Sequence, residues 1–264
     1  VMKDRVTIHD VARAAGVSAA TVSYVINQRE DQSISENTKQ KIWHVINLLN
    51  YKPSVFAKNL RAEPHSKLIA VCTGELNPLA RAEYLYMLEN LTASFPGDYG
   101  LLFNTLPCGR LENADAIIAY NVTKETFYEI GNKNFIPLVA VDCLVNDPLF
   151  FQITTDYAAL KRLADERFNQ DYAFVCITPS DENLKSEIKV QFPDVVFVES
   201  YDDLCAINAT CVVTLHEIIA RFFRSRNVNV FFADNAYLAK CDQTTKCIEQ
   251  ALSHEPFNIH SYKV

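Results

Sequence analysis

The chain has 264 residues, and its 49% hydrophobic content is enough to bury a sizeable core. A formal net charge of −7 argues against a protein that coats nucleic acid along its whole surface. The charge is divided unevenly, because residues 1–64 carry nine Lys and Arg against six Asp and Glu, whereas residues 65–264 carry sixteen against twenty-six. The sequence therefore predicts a weakly basic N-terminal segment on an acidic, solvated body.

The eight cysteines all lie beyond residue 64, and none forms a CxxC pair or another spacing typical of a metal site. We therefore expect buried thiols, no metal and no cofactor. With only six glycines, no phosphate-binding loop is recognisable, and we expect no enzyme activity. No apolar run reaches the eighteen or so residues of a membrane helix, and no secretory leader precedes the first helix. We expect a cytoplasmic protein without membrane contact.

The first element predicted from the sequence is a pair of short helices around Gly16-Val17. Thr7 and Asp10 have the spacing of a capping box, and Ser18 is a good N-cap for the second helix. Gly16 suits the left-handed backbone of a helix C-terminus. A third helix is predicted after Ser35. The apolar positions expected to face inward are Val11, Ala12, Ala15, Val22, Val25, Ile26, Ile42, Val45, Ile46 and Leu49.

Residues 19, 20, 23, 24 and 27 fall on the opposite face of the second helix because they are spaced by about one turn. Such a helix-turn-helix places its second helix in the DNA major groove. The alternative is a small helical bundle without a role in nucleic-acid binding.

From about residue 66, apolar strand-like runs alternate with amphipathic stretches, which indicates parallel sheets covered by helices on both faces. The predicted strands are 68–72, 99–103, 115–120, 136–141, 173–177, 194–199, 211–215 and 228–232. The predicted helices are 79–95, 123–132, 155–168, 182–192, 216–226 and 235–253. In the first of these helices, Tyr84, Leu85, Leu88 and Leu91 lie on one broad side, which suits packing on its own sheet or on a second copy of the chain.

The segments TIHDVARAAGVSAATVSYVIN, ISENTKQKI, LNYKPS and FAKNLR resemble the DNA-binding headpiece and hinge of the LacI/GalR family of bacterial transcription regulators. The resemblance runs from Val6 to about Val71 and is weaker beyond. It implies an all-α helix-turn-helix headpiece at residues 1–52 and a hinge helix or linker at 53–65. At 66–264 it implies a shortened α/β domain like a type I periplasmic binding protein, with two parallel-sheet lobes.

The resemblance also implies roles for individual residues in binding DNA. The predicted base-reading residues are Ala19, Ala20 and Tyr24, and the residues predicted to position the head on phosphates are Thr7, Ser18, Thr21, Ser23 and Asn27. In the hinge, Ala57, Lys58, Asn59 and Leu60 are expected in the minor groove, with Leu60 as an apolar wedge between base pairs.

The predicted effector pocket comprises Asn77, Asp142, His216 and Glu217. Here the sequence departs from the family, since His216-Glu217 replaces the usual Asn-Asp pair, and the usual arginine-bearing helix reads DENLKSEIKV.

We therefore predict a transcriptional regulator, a repressor in most members of such a family, that binds a palindromic double-stranded operator as a homodimer. A small sugar-like or nucleoside-like effector is the expected modulator. One alternative is a DNA binder whose body only dimerises or is controlled by a protein partner. A more remote alternative is an α/β solute-binding protein or enzyme with an incidental helical head.

Overall fold

The computed structural model describes residues 6–26, 33–49, 51, 67–105, 109–111, 113–169, 171–253 and 258–264. Asn27 and the predicted hinge residues Ala57, Lys58, Asn59 and Leu60 lie outside the described residues. The chain begins with three helices, α1 (Ile8–Ala15), α2 (Ala19–Ile26) and α3 (Glu36–Leu49). We call these three helices and their connections the head.

The head is built as the local sequence predicts. The Thr7 backbone N–H and hydroxyl both donate to Asp10 at the start of α1, and Gly16 ends α1 with φ +66°. The Ser18 hydroxyl accepts the Thr21 N–H at 3.0 Å, which caps α2. The apolar faces meet in one core, and of the ten predicted inward residues only Leu49 is partly exposed.

The first lobe is a six-stranded, all-parallel sheet. Its strands are β1 (Lys67–Thr73), β2 (Tyr99–Thr105), β3 (Ala116–Tyr120), β4 (Leu138–Val141), β5 (Phe151–Thr154) and β10 (Ser261–Lys263), in the order β10-β5-β4-β3-β1-β2. The helices α4 (Pro78–Ser94), α5 (Lys124–Lys133) and α10 (Asp234–Ser253) pack around it. The central strands β3, β4 and β5 are wholly buried, as expected for a sheet covered on both faces, whereas the edge strands β2 and β10 each carry exposed side chains.

The second lobe is a four-stranded parallel sheet of β6 (Ala173–Ile177), β7 (Val196–Val198), β8 (Cys211–Thr214) and β9 (Asn229–Phe232), in the order β7-β6-β8-β9. Its helices are α6 (Tyr157–Phe168), α7 (Glu182–Gln191), α8 (Tyr201–Ala206) and α9 (Glu217–Ser225). Because α4 of the first lobe also contacts α9, apolar residues of both lobes join in one core.

Three elements were missed by the sequence analysis: β5, α8 and β10. The strand predicted at 194–199 is only three residues long. It is followed by α8, a helix of six residues capped by Ser200. Of the four residues proposed as a broad apolar side of α4, Tyr84, Leu88 and Leu91 are buried in their own lobe. Only Leu85, 63% exposed, is left for contact with another molecule.

The head packs against the first lobe through α3. Trp43 is 1% exposed and lies over Gly131 of α5, where its indole N–H donates to the Asn134 carbonyl oxygen at 2.9 Å. Its ring stacks on Phe150 with centroids 4.6 Å apart. Beside it, His44 Nε2 lies 3.2 Å from Asp147 Oδ2. Because this contact uses α3, it leaves α2 on a different side of the head.

Candidate functional site

The predicted base-reading surface is accessible in the described head. Ala20 is exposed, and Ala19 and Tyr24 are partly exposed, whereas Val22, Val25 and Ile26 hold the other side of α2 in the core. A helix whose exposed face carries short side chains can approach base edges closely. Two methyl groups suit thymine methyls, and the Tyr24 hydroxyl can donate or accept one hydrogen bond.

Hydroxyl groups lie at the N-terminal ends of both helices. Ser18 Oγ and Thr21 Oγ1 are 2.8 Å apart and share one hydrogen, so the second hydroxyl hydrogen of this pair is available to another acceptor. Thr7 instead donates its hydroxyl hydrogen to Asp10 at 2.7 Å. This bond and the Thr7 backbone N–H hold the pKa of the Asp10 carboxyl below its ordinary value. Thr7 therefore has to release Asp10 before it can donate to a phosphate.

A cavity lies between the two lobes, at the carboxyl ends of β3, β4, β6 and β8. It holds roughly 540 Å³ of empty space, including the solvent at its mouth. This is the edge of a parallel sheet at which α/β proteins bind ligands. Two of the four predicted effector residues, Asp142 and His216, line it.

Asn77 and Glu217 do not line the cavity, which corrects their predicted place. Asn77 Oδ1 instead caps α4 by accepting the Ala80 N–H at 2.8 Å. The Glu217 carboxylate pairs with Arg221 one turn along α9, away from the cavity. Both side chains are therefore used in local helix contacts.

The structure adds two charged residues to the cavity wall that the sequence analysis missed, Lys240 and Glu83. Lys240 of α10 donates to both oxygens of Asp142, at 2.8 and 2.9 Å, and both side chains are largely buried. Lys240 follows Asp142 by 98 residues, so no local spacing signals the pair. A lysine on an otherwise buried helix face is the only sequence signal that could have found it.

Glu83 of α4 crosses the cleft and holds the start of α9. It is 2% exposed, and its two oxygens accept the N–H groups of Glu217 and Ile218 at 3.1 and 3.2 Å. A carboxylate at a helix N-terminus is stabilised by the free N–H groups and by the helix dipole. Glu83 therefore ties the first lobe to the second.

Two polar groups in the cavity wall have no hydrogen-bond partner among the described residues, the Tyr237 hydroxyl and His216 Nδ1. Burial raises the pKa of Tyr237, and of Tyr120 nearby, well above the ordinary value, so both keep their protons. Buried polar groups normally find partners. His216 Nδ1 faces Glu83 Oε1 at 3.7 Å, which leaves the Tyr237 hydroxyl to bond a molecule in the cavity.

The part of the chain that the structure describes contains no cluster of three or more His, Cys, Asp or Glu side chains that could hold a metal ion. Among the same residues, no helix combines the length and apolarity that crossing a bilayer requires.

Comparison with known proteins identifies the head. Residues 7–54 match the family described as "Bacterial regulatory proteins, lacI family". The chain is 36% identical over 114 residues to the "HTH-type transcriptional repressor PurR" of Proteus mirabilis and to that of Photorhabdus laumondii. Each alignment takes in 43% of this chain and 31% of the relative, so the match spans about a third of the length of these relatives.

The whole fold resembles a solved structure of the lac repressor dimer bound to operator and the anti-inducer ONPF. The TM-score is 0.50 at 15% identity, with 99% of this chain and 96% of that chain covered. This likeness confirms the predicted fold class, a helix-turn-helix head followed by two parallel α/β lobes. The family match confirms the resemblance of the N-terminal segment.

Proposed function

Because the N-terminal segment is a helix-turn-helix domain of the lacI family, we propose that this chain is a sequence-specific DNA-binding transcriptional repressor. The observation that carries the proposal is the exposed face of α2, with Ala20 outermost, held in place by a packed head core. A regulator of chromosomal DNA acts in the cytoplasm.

We assign base contacts to Ala19, Ala20 and Tyr24, and phosphate contacts to Thr7, Ser18, Thr21 and Ser23. Asn27 and the hinge residues Ala57, Lys58, Asn59 and Leu60 keep the roles that the resemblance implies. A single head covers one half-site, so a homodimer on a palindromic operator is proposed. Sedimentation at micromolar concentration tests the dimer, and a monomer with half-site footprints contradicts it.

Selection of binding sites from a random DNA library tests base reading. Ala20→Arg and Tyr24→Ala are expected to change the selected sequence, because they alter the groups that meet base edges. Val190→Arg is the matched control, since Val190 is 74% exposed on α7 of the second lobe and the variant adds the same charge. Unchanged selection by both head variants contradicts the proposal.

For the cavity we propose a small, uncharged, hydroxyl-bearing effector, such as a sugar or a nucleoside. Lys240 and Asp142 pair with each other and Glu83 accepts two backbone N–H groups, whereas the Tyr237 hydroxyl lacks a partner. A neutral ligand with donors and acceptors satisfies such a wall without breaking an ion pair.

The segment 142–150 gives a physical route from the cavity to the head. At one end Asp142 bonds Lys240, and the Leu144 N–H donates to Asp181 of the second lobe at 2.5 Å. At the other end Asp147 and Phe150 contact His44 and Trp43 of the head. A change in lobe spacing is therefore transmitted to the surface on which the head rests.

A second candidate function is a repressor whose body responds to no small molecule. The Glu83 contact across the cleft favours it, because the lobes are already tied together without a ligand. Thermal unfolding against a panel of sugars and nucleosides separates the two candidates, since a ligand at a hundred times its Kd adds about 2.7 kcal/mol of stability. No shift with any member of the panel favours the second candidate.

A further inference from the structure

Three residues on the cavity wall form a chain of contacts that neither DNA binding nor the proposed effector uses. Cys176 at the end of β6 places its Sγ 3.4 Å from His216 Nε2, at the start of α9. On the other side of the ring, His216 Nδ1 lies 3.7 Å from Glu83 Oε1. Cys176, His216 and Glu83 thus stand in the order nucleophile, base and orienting carboxylate.

Glu83 is fixed in this arrangement because both of its oxygens accept N–H groups of α9. Burial lowers the pKa of His216, but Cys176 and Glu83 together outweigh it and raise that pKa to about 10. A cationic imidazole within contact distance favours the ionised form of a thiol, which is the reactive form.

Other titratable groups face the pair from the elements packed around it. They are Tyr157 of α6, whose pKa is raised by burial, Tyr120 and Tyr237, and Asp142, which Lys240 contacts at 2.8 Å. The tyrosines stay protonated at neutral pH. His216 Nε2, 3.4 Å from the sulfur, is the titratable group in contact with it.

We propose that Cys176 is a covalent-modification site for small, planar α,β-unsaturated carbonyl compounds, with His216 as its proton donor and Glu83 as a positioning residue. The rings of Tyr120, Tyr157 and Tyr237, with Leu184 and Leu215, line the cavity and suit a flat conjugated molecule. The cavity gives the otherwise buried sulfur its route to such a reagent.

The addition balances without any further reactant. The thiolate sulfur forms a bond to the β-carbon, and the electron pair of the C=C bond moves to the carbonyl to give an enolate. His216 then gives its Nε2 proton to that enolate, which leaves a neutral imidazole and a thioether at Cys176.

A second contact of the sulfur is typical of a neutral thiol. Cys176 Sγ lies 3.3 Å from the Ile177 carbonyl oxygen, the acceptor that a neutral thiol uses. A neutral thiol in this position is a packing group with ordinary reactivity, so the rate of modification distinguishes the two states.

The test is labelling of the full chain with N-ethylmaleimide, a small planar reagent of the proposed class, at pH 6 and pH 8, followed by peptide mass spectrometry. Cys205 on α8 is the internal reference because it is exposed. Between these pH values an ordinary thiol is expected to lose about tenfold in rate per pH unit. Cys176, whose sulfur lies 3.4 Å from His216 Nε2, is expected to be labelled at least about tenfold faster than Cys205 at pH 6.

The His216→Asn variant is expected to remove the rate advantage of Cys176 over Cys205, and Cys176→Ser to remove the label from that peptide only. If the His216 variant does not fold, the wild-type rate comparison at pH 6 decides alone. The proposal is overturned if Cys176 stays unlabelled while Cys205 reacts, or if Cys176 reacts no faster than Cys205 at pH 6.

The effect of the adduct on operator affinity rests on the proposed function, and it is measured in a separate binding assay. An adduct next to the Glu83 contact is expected to change operator affinity at least about threefold, because it alters the tie between the lobes. Labelling with unchanged affinity supports the modification site and overturns its link to DNA. Loss of site selection in the unlabelled protein instead contradicts the proposed function.

Discussion

The contact between Trp43 and Gly131 makes a sharp prediction about how the head is held. A Cβ added at Gly131 lies 2.8, 3.0 and 3.1 Å from three atoms of the Trp43 ring. Carbon atoms in contact prefer about 3.5–4.0 Å, so the ring has to withdraw. It cannot do so without weakening its hydrogen bond to Asn134 and its stacking on Phe150.

For Gly131→Ala, overpacking is expected to cost about 1–3 kcal/mol. Replacing a glycine in helix α5 returns about 1 kcal/mol through helix propensity. The expected net loss of stability is therefore about 0–2 kcal/mol, with the strain concentrated where the head meets the lobe. Gly131→Leu is expected to displace the ring altogether and to release the head from the first lobe.

Trp43 is the only tryptophan of the sequence, so its fluorescence reports this contact directly. Emission of Gly131→Leu is expected to shift to longer wavelength and to be quenched more readily by acrylamide, while the circular dichroism of the lobes stays unchanged. Gly97→Ala is the control, because a Cβ there meets nothing within 4 Å. An unshifted, unquenched emission in Gly131→Leu refutes the docked arrangement.

Three further predictions concern buried charge. Burial lowers the pKa of His44 below its ordinary 6.5 and outweighs the attraction of Asp147, so the unfolded chain takes up a proton before the folded one does. The free energy of unfolding should therefore fall as pH drops from about 6.5 through the lowered pKa. His44→Gln should flatten this slope in chemical denaturation followed by Trp43 fluorescence. Glu83→Gln places an amide where two N–H groups need acceptors, and it should lower the free energy of unfolding in urea by about 1–3 kcal/mol. Glu89→Gln, at an exposed position of the same helix, is the control and should cost almost nothing. Equal effects of the two substitutions contradict the tie between the lobes. Lys240→Met leaves Asp142 buried without its partner and should cost about 3–5 kcal/mol. The double variant Lys240→Met/Asp142→Asn should recover part of this loss because it removes the unpaired buried charge, and asparagine tolerates the positive φ of 52° at residue 142. A double variant as unstable as the single one argues against the pair.

The head was predictable from the sequence because its structure is specified locally. The Thr7–Asp10 contact, the left-handed Gly16 and the Ser18 cap all act within a few residues, and the apolar periodicity sets the buried faces. The strands of the lobes were predictable for a similar reason, since runs such as 68–72 and 136–141 are apolar on both faces.

The missed elements lack such signals. β5 reads FQIT and has a buried glutamine at its centre, whose amide is satisfied by Asn146 and Ser261 rather than by water. β10 is a three-residue edge strand with two exposed side chains, formed because the chain returns from the second lobe to pair with β5. Neither pattern distinguishes a strand from a loop until the partner strand is known.

The cavity was only half predictable because its wall is assembled from distant parts of the chain. Asp142 and His216 were found at strand ends, where parallel sheets collect ligand-binding groups, but a strand end does not reveal which helix crosses it. Glu83 and Lys240 lie in the middle of long helices, where spacing predicts only a buried or an exposed face.

The same limitation applies to the head, where Trp43 is not among the inward positions that the sequence predicts for the third helix. In the structure it is buried against Gly131, the Asn134 carbonyl group and Phe150 of the first lobe. These residues follow Trp43 in the sequence by 88 to 107 positions. Phe150 and Asp147, which receive Trp43 and His44, end the segment that begins at Asp142 in the cavity wall. The surface that holds the head and the wall that faces the cleft are thus two ends of one short, well-packed segment, and the position of one cannot change without strain on the other.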